Sequence, residues 1–167
     1  AFLPSPVDVD RLRNAPGVPA LERLLQDGFV NILFVGRIAP QKRLDHHVHL
    51  AQHYMRYVDA YYRFIFVGRY DVVPGYFEAV QNMVQTFRIP AERFWSTGPV
   101  PEVELAAYYR NAHAYVSLSE HEGFCVPLVE AMAMDVPVLA YADTAVPDTL
   151  GGAGVAFQPK DLELAAE

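Results

Sequence analysis

The chain has 167 residues, 52% of them apolar and 20% charged, which suits an ordered globular protein with a sizeable core and excludes a disordered one. Its 13 Lys and Arg against 20 Asp and Glu give a formal charge of −7, so it lacks the basic balance of a polyanion binder, and nucleic acid is not an expected partner. With Cys125 as the single cysteine, neither an intrachain disulfide nor a cysteine-based metal site can form, and a cytoplasmic setting is expected.

Residues 1–19 carry Pro4, Pro6, Pro16, Pro19 and Gly17 and predict a lead-in segment rather than a core element. The opening Ala1-Phe2-Leu3-Pro4 has neither an initiator Met nor a signal-peptide layout, so a cut inside a longer protein is expected. Pro19-Ala20-Leu21 opens a short helical run that Gly28 stops. Val30 to Gly36 is apolar at nearly every position, as a strand buried on both faces should be. A helical pattern follows over Leu44 to Val58, then a second strand, Arg63 to Gly68. Pro74 and Gly75 introduce a helix through Phe87, and Arg93 to Gly98 reads as a third strand. Pro101 near the first turn starts another helix through Leu105, Tyr108 and Tyr109. Ala114 to Leu118 is a fourth strand, Val126 to Met134 a helix, Pro137 to Tyr141 a fifth strand and Val155 to Phe157 a short sixth. No apolar run reaches the roughly 18 to 20 residues of a membrane span.

Strands alternating with helices of about 10 to 15 residues predict βαβ units. The expected fold is α/β and doubly wound, a three-layer Rossmann-like domain over residues 1–167 with a mainly parallel sheet of about six strands. Ligands of such sheets bind beyond the carboxyl ends of the strands, which directs attention to the segments that follow each strand.

After the first strand come Gly36, Arg37 and Lys42. Two cations on one loop at a strand's end suit a diphosphate clamp, although solvated surface charges give the same pattern. A single glycine there leaves neither a dinucleotide fingerprint nor a P-loop. After the fourth strand, Glu122-Gly123-Phe124-Cys125-Val126 leads into a helix at Pro127, with Glu130 about one turn inside. Amides of Gly123 to Val126 near a helix start favour an anion. Glu122 and Glu130 suit hydroxyl recognition, since a carboxylate accepts from sugar hydroxyls; a helix-start charge and a solvent-facing residue are the plainer alternatives. His46, His49 and His53 share a helical face without a glutamate between them in the zinc-protease arrangement, so solvent-facing or amphipathic positions are expected and no metal site. Tyr108, Tyr109, Tyr61 and Tyr62 read as core and surface packing.

Ile32 to Lys42 resembles the first strand and phosphate loop of the C-terminal, donor-binding domain of retaining GT-B glycosyltransferases, the group 1 or family 4 class. Glu122 to Ala133 resembles that family's Glu-x7-Glu signature. Gly98 with Leu105, Tyr108 and Tyr109 matches the segment before it, and Leu3 to Asp8 is similar to the interdomain linker. The resemblance implies an enzyme, a retaining glycosyltransferase of polysaccharide or glycoconjugate biosynthesis. It would use a nucleotide diphosphate sugar without an obligatory metal or other cofactor.

Arg37 and Lys42 would bind the donor diphosphate, Gly36 would let the backbone pass close to it, and Glu122 would contact the transferred sugar. Gly123, Phe124, Cys125 and Val126 would surround sugar and phosphates, and Glu130 would bind the ribose hydroxyls. The implied partners are the sugar donor, an acceptor held by an N-terminal domain outside this chain, and a peripheral membrane contact for the longer protein. The domain's terminal helices are also expected beyond Glu167, so the chain alone should not catalyse transfer. Two positions depart from the pattern: Cys125 stands at a usual glycine and Asp148 at a usual glutamate. An epimerase-type enzyme of the same fold and a non-catalytic nucleotide-sugar-binding module are the rival readings.

Overall fold

In the computed structural model, which describes residues 7–58 and 61–166, six strands form one all-parallel sheet in the order β3-β2-β1-β4-β5-β6. These are β1 (Val30–Val35), β2 (Tyr62–Val67), β3 (Phe94–Gly98), β4 (Ala114–Ser117), β5 (Val138–Tyr141) and β6 (Val155–Phe157). β1 and β2 pair in register from Val30↔Tyr62 to Val35↔Val67, while β1 meets β4 at Ile32↔Ala114 and Leu33↔Tyr115. All six residues of β2 are buried, which is what strands covered on both faces require.

Alternate side chains of these strands feed two separate cores. Ile32, Phe34, Tyr62, Phe64, Phe66 and Val116 meet α3 (Leu44–Tyr57) and α4 (Tyr76–Thr86) on one face, through Leu44, Val48, Ala51 and Val80. Leu33, Ile65, Val67, Tyr115, Val138 and Ala140 face the other side. There they meet α1 (Asp10–Arg13), α2 (Pro19–Leu25), α5 (Glu102–Arg110), α6 (Val126–Ala133) and α7 (Val146–Leu150). The doubly wound α/β expectation holds, with helices on both faces.

The fold departs locally from these expectations. Residues 1–6, with Pro4 and Pro6, lie outside the described residues, but the rest of the lead-in is not peripheral. Its helical turn α1 puts Leu12 into the core at 0% exposure, and Arg13 Nε donates to Ala133 O at 2.8 Å. α7, an element not predicted, follows β5, while Pro101 immediately precedes α5, as its place near the first turn predicts. Arg63 sits inside an otherwise apolar strand yet is fully buried. Its guanidinium donates to Asn31 Oδ1 at 2.8 and 3.1 Å and to both Asp27 oxygens at 3.1 Å, and lies 4.0 Å from the Trp95 ring centre. Burial pushes the Asp27 carboxyl up, but the Arg63 hydrogen bonds and charge, together with the Phe29 N–H, outweigh it and hold the group low.

The histidines divide. His49 is exposed against Phe87 and His53 packs on Tyr57, whereas His47 is fully buried among Phe34, Phe64 and Phe66. Its Nδ1 lies 3.0 Å from Arg43 O and its Nε2 3.3 Å from Val116 O. Burial pushes the imidazole down to about 4, against 6.5 for a free side chain. Between these values the unfolded chain takes up a proton that the native state refuses. Stability therefore rises with pH across this window and is lost as pH falls from 6.5 towards 4, by about 3 kcal/mol in full. In His47→Gln, urea midpoints followed across the same window should fall less steeply than in the parent chain; an unchanged slope would assign the acid sensitivity elsewhere.

Candidate active site

β1 and β4 are neighbours, but the chain leaves β1 for α3 on one face and β4 for α6 on the other. The loops after them therefore diverge and leave a crevice at the carboxyl end of the sheet. Gly36 closes β1 and donates its N–H to Val67 O at 2.9 Å. Gly68, at the end of β2, is packed so tightly there that a Cβ on it would lie 2.1 Å from Gly36 O. That glycine was read only as the end of a strand; its spacing carries no further signal. Ile38 and Ala39 are buried and anchor the loop, leaving Arg37 exposed between them and the strand. Arg37 makes no hydrogen bond or ion pair among the described residues.

A 3₁₀ turn, Pro40–Lys42, then ends at Arg43, whose left-handed backbone (φ 52°) starts α3. Lys42 Nζ meets Glu122 Oε1 at 2.5 Å, with both side chains largely buried. The backbone supports this contact, because Glu120 N–H donates to Gln41 O at 2.9 Å. The two loops are thus joined across the crevice by one ion pair and one backbone bond.

Glu122 is also held from behind. Its N–H donates to Thr144 Oγ1 at 2.9 Å, and the same hydroxyl donates to Glu122 O at 2.9 Å. Thr149 Oγ1 donates to Phe124 O at 2.6 Å. Both threonines follow β5; Thr144 lies in the segment marked by its strand-end position, Thr149 just beyond it, and nothing in the sequence singles out either hydroxyl. Gly123 and Val126 are exposed and Phe124 half-buried, while Cys125 is buried. The N–H groups of Gly123, Phe124, Cys125 and Val126 donate to no acceptor among the described residues, and no side chain caps α6. Four free donors at a helix start are an arrangement that favours a bound anion.

Cys125 adopts φ 60° and ψ 64°, the left-handed region that glycine enters most readily. Burial, with the Glu122 charge beside it, pushes its thiol up to about 12, so it is a neutral group and not a nucleophile. The other departure, Asp148, is exposed in the first turn of α7.

Glu130 makes no ion pair with Lys42 or Arg37 among the described residues. It is buried (3% exposed), on the side of α6 that faces α5 and α1. Tyr109 OH donates to its Oε2 at 3.0 Å, and the Arg11 guanidinium donates to its Oε1. Tyr109 is the core residue expected, with an added polar role. A second charged group borders the crevice: Glu120 meets Arg43 Nη1 at 2.5 Å and Lys160 Nζ at 3.0 Å. The Arg43 hydrogen bond holds the Glu120 carboxyl low. Among the described residues no group of three His, Cys, Asp or Glu is arranged to hold a metal ion, and no helix is long and apolar enough to cross a membrane.

The model of the family described as Glycosyl transferases group 1 matches residues 22–167. O-antigen chain mannosyltransferase B of Escherichia coli is 38% identical over 66 residues, 40% of this chain and 17% of that protein. A GDP-mannose-dependent alpha-mannosyltransferase of Mycobacterium tuberculosis (strain CDC 1551 / Oshkosh) is 30% identical over 135 residues, 80% of this chain and 31% of that protein. The crystal structure of a glycosyltransferase from Rickettsia africae ESF-5 superposes with a TM-score of 0.80 at 19% identity, over 96% of this chain and 43% of that one. The chain thus spans less than a third of either curated relative.

The backbone of Cys125 generates a stability test. A left-handed residue other than glycine costs roughly 1–2 kcal/mol. Cys125→Gly and Cys125→Ala both remove the thiol, but only glycine relieves the backbone. In urea unfolding Cys125→Gly should exceed Cys125→Ala by about 1 kcal/mol; equal stabilities would mean that the αL conformation is not the governing constraint.

Proposed function

Because this chain belongs to the group 1 glycosyl transferases, we propose that it is the donor-binding half of an enzyme that moves a sugar from a nucleotide diphosphate sugar to an acceptor, with retention of anomeric configuration. The observation that carries this reading is the Lys42–Glu122 contact at 2.5 Å, which sets a cation and a carboxylate side by side at the mouth of the crevice. A sugar diphosphate needs that pairing: a carboxylate to accept from sugar hydroxyls and a cation for phosphate oxygens.

Arg37, Lys42 and the free amides of Gly123, Phe124, Cys125 and Val126 bind the diphosphate. Gly36 lets the β1 end approach it. As the sugar–phosphate bond breaks, negative charge grows on the leaving diphosphate, and Arg37 and Lys42 stabilise it. Glu122 orients the transferred sugar and Glu130 accepts from the ribose hydroxyls. The acceptor attacks from the face the diphosphate leaves, held by a second domain, and the reaction needs no obligatory metal. Relatives named for GDP-mannose favour a GDP-sugar, and mannose, as the donor. The setting is cytoplasmic.

Calorimetric titration of the chain with GDP-mannose, UDP-glucose and ADP-glucose tests this reading. GDP-mannose should bind best, and Arg37→Ala and Lys42→Ala should each weaken it by about 10- to 100-fold, the worth of one charge-assisted phosphate contact. No binding by any of the three would overturn the proposal. Sugar transfer by these 167 residues alone would overturn the assignment of the acceptor to a second domain.

A further inference from the structure

The Glu130 carboxylate poses a physical problem. It sits on an apolar helix between Val129 and Ala131, with its side chain 5% exposed, where a polar group without hydrogen-bond partners is costly. Two groups from other elements partner it: Tyr109 on α5 donates to Oε2, and Arg11 on α1 donates to Oε1.

Arg11 is itself fixed on three sides. Its Nε donates to Asp8 O at 2.9 Å, its Nη1 to Glu102 Oε2 at 2.8 Å, and its Nη2 to Glu130. The planar fork therefore spans the first turn of α5 and the middle of α6, which a lysine cannot reproduce. The turn that carries it is anchored separately. Leu12 is in the core, Arg13 bonds Ala133 O, and Arg110 Nη2 bonds Ala15 O at 2.6 Å.

We propose that Arg11 is a positioning residue for the nucleoside end of the donor site: it holds the Glu130 carboxylate in one rotamer, so that it can accept a vicinal diol. An ionised carboxylate has about four lone-pair sites. Arg11 and Tyr109 use one on each oxygen, which leaves one on each for the two ribose hydroxyls. This inference rests on the reading of Glu130 as the ribose-binding group.

The test compares GDP with 2′,3′-dideoxy-GDP by calorimetry, reading the ratio of their dissociation constants. The parent chain should prefer GDP by about tenfold or more, as expected for hydroxyls bonded to a charged acceptor. In Arg11→Ala that ratio should collapse towards one, through loss of GDP affinity with little change for the dideoxy compound. Arg11→Lys should recover part of the preference, and Arg13→Ala, which loosens the same turn without touching Glu130, should keep it. An undiminished ratio in Arg11→Ala, tighter GDP binding there, or an equal collapse in Arg13→Ala would overturn the role of Arg11. A parent chain that binds both nucleotides alike would instead remove the ribose role of Glu130, and the proposal with it.

Discussion

Two adjacent parallel strands whose connections depart to opposite faces govern the rest of this structure. A parallel strand must be reached by a crossover, and the crossover helix must lie on one face or the other. At β1 and β4 the choice reverses, so the segments after them cannot pack on each other along their length. The sheet supplies rigid strand ends a few residues away, and the loops inherit that rigidity. Backbone bonds, Ile38 N–H to Arg69 O at 2.7 Å and Glu120 N–H to Gln41 O at 2.9 Å, carry it out to the functional groups.

The crevice is electrostatically paired before any ligand arrives. Lys42 faces Glu122, and Glu120 lies between Arg43 and Lys160. Pairing keeps each half-buried charge from standing alone, which would cost several times what a surface charge costs. A diphosphate bound there, as proposed, would meet cations that already have partners and would share Lys42 rather than simply neutralise it. Arg37, exposed and without an ion pair among the described residues, is the cation available first.

Much of this was legible in the sequence, for identifiable reasons. Strands buried on both faces leave unbroken apolar runs, and helices over them leave spaced ones, so the six strands and the larger helices emerge within a residue or two. Gly36, Arg37, Lys42 and Glu122 were traceable because strand ends are marked by composition. What stayed hidden depends on contacts made far along the chain. Arg11 reaches Glu130 across 119 positions, and Thr144 reaches Glu122 across 22. Proline and glycine made residues 1–19 look peripheral, although one leucine there is as buried as any in the protein. His47 and Arg63 look like surface residues by type; their burial follows from neighbours that local pattern does not specify.

The way residues 8–15 lie across α5 and α6 bears on recombining this fold with others. Composition suggests a junction near Pro19, and the family match starts at residue 22. A chimaera spliced at either point would leave behind Leu12, both of the arginines that tie this stretch to α6, and the backbone carbonyl that Arg110 grips. The folded unit extends at least to Asp8, earlier than its sequence signature, and domains of this fold exchanged between proteins would need to travel with that strap attached.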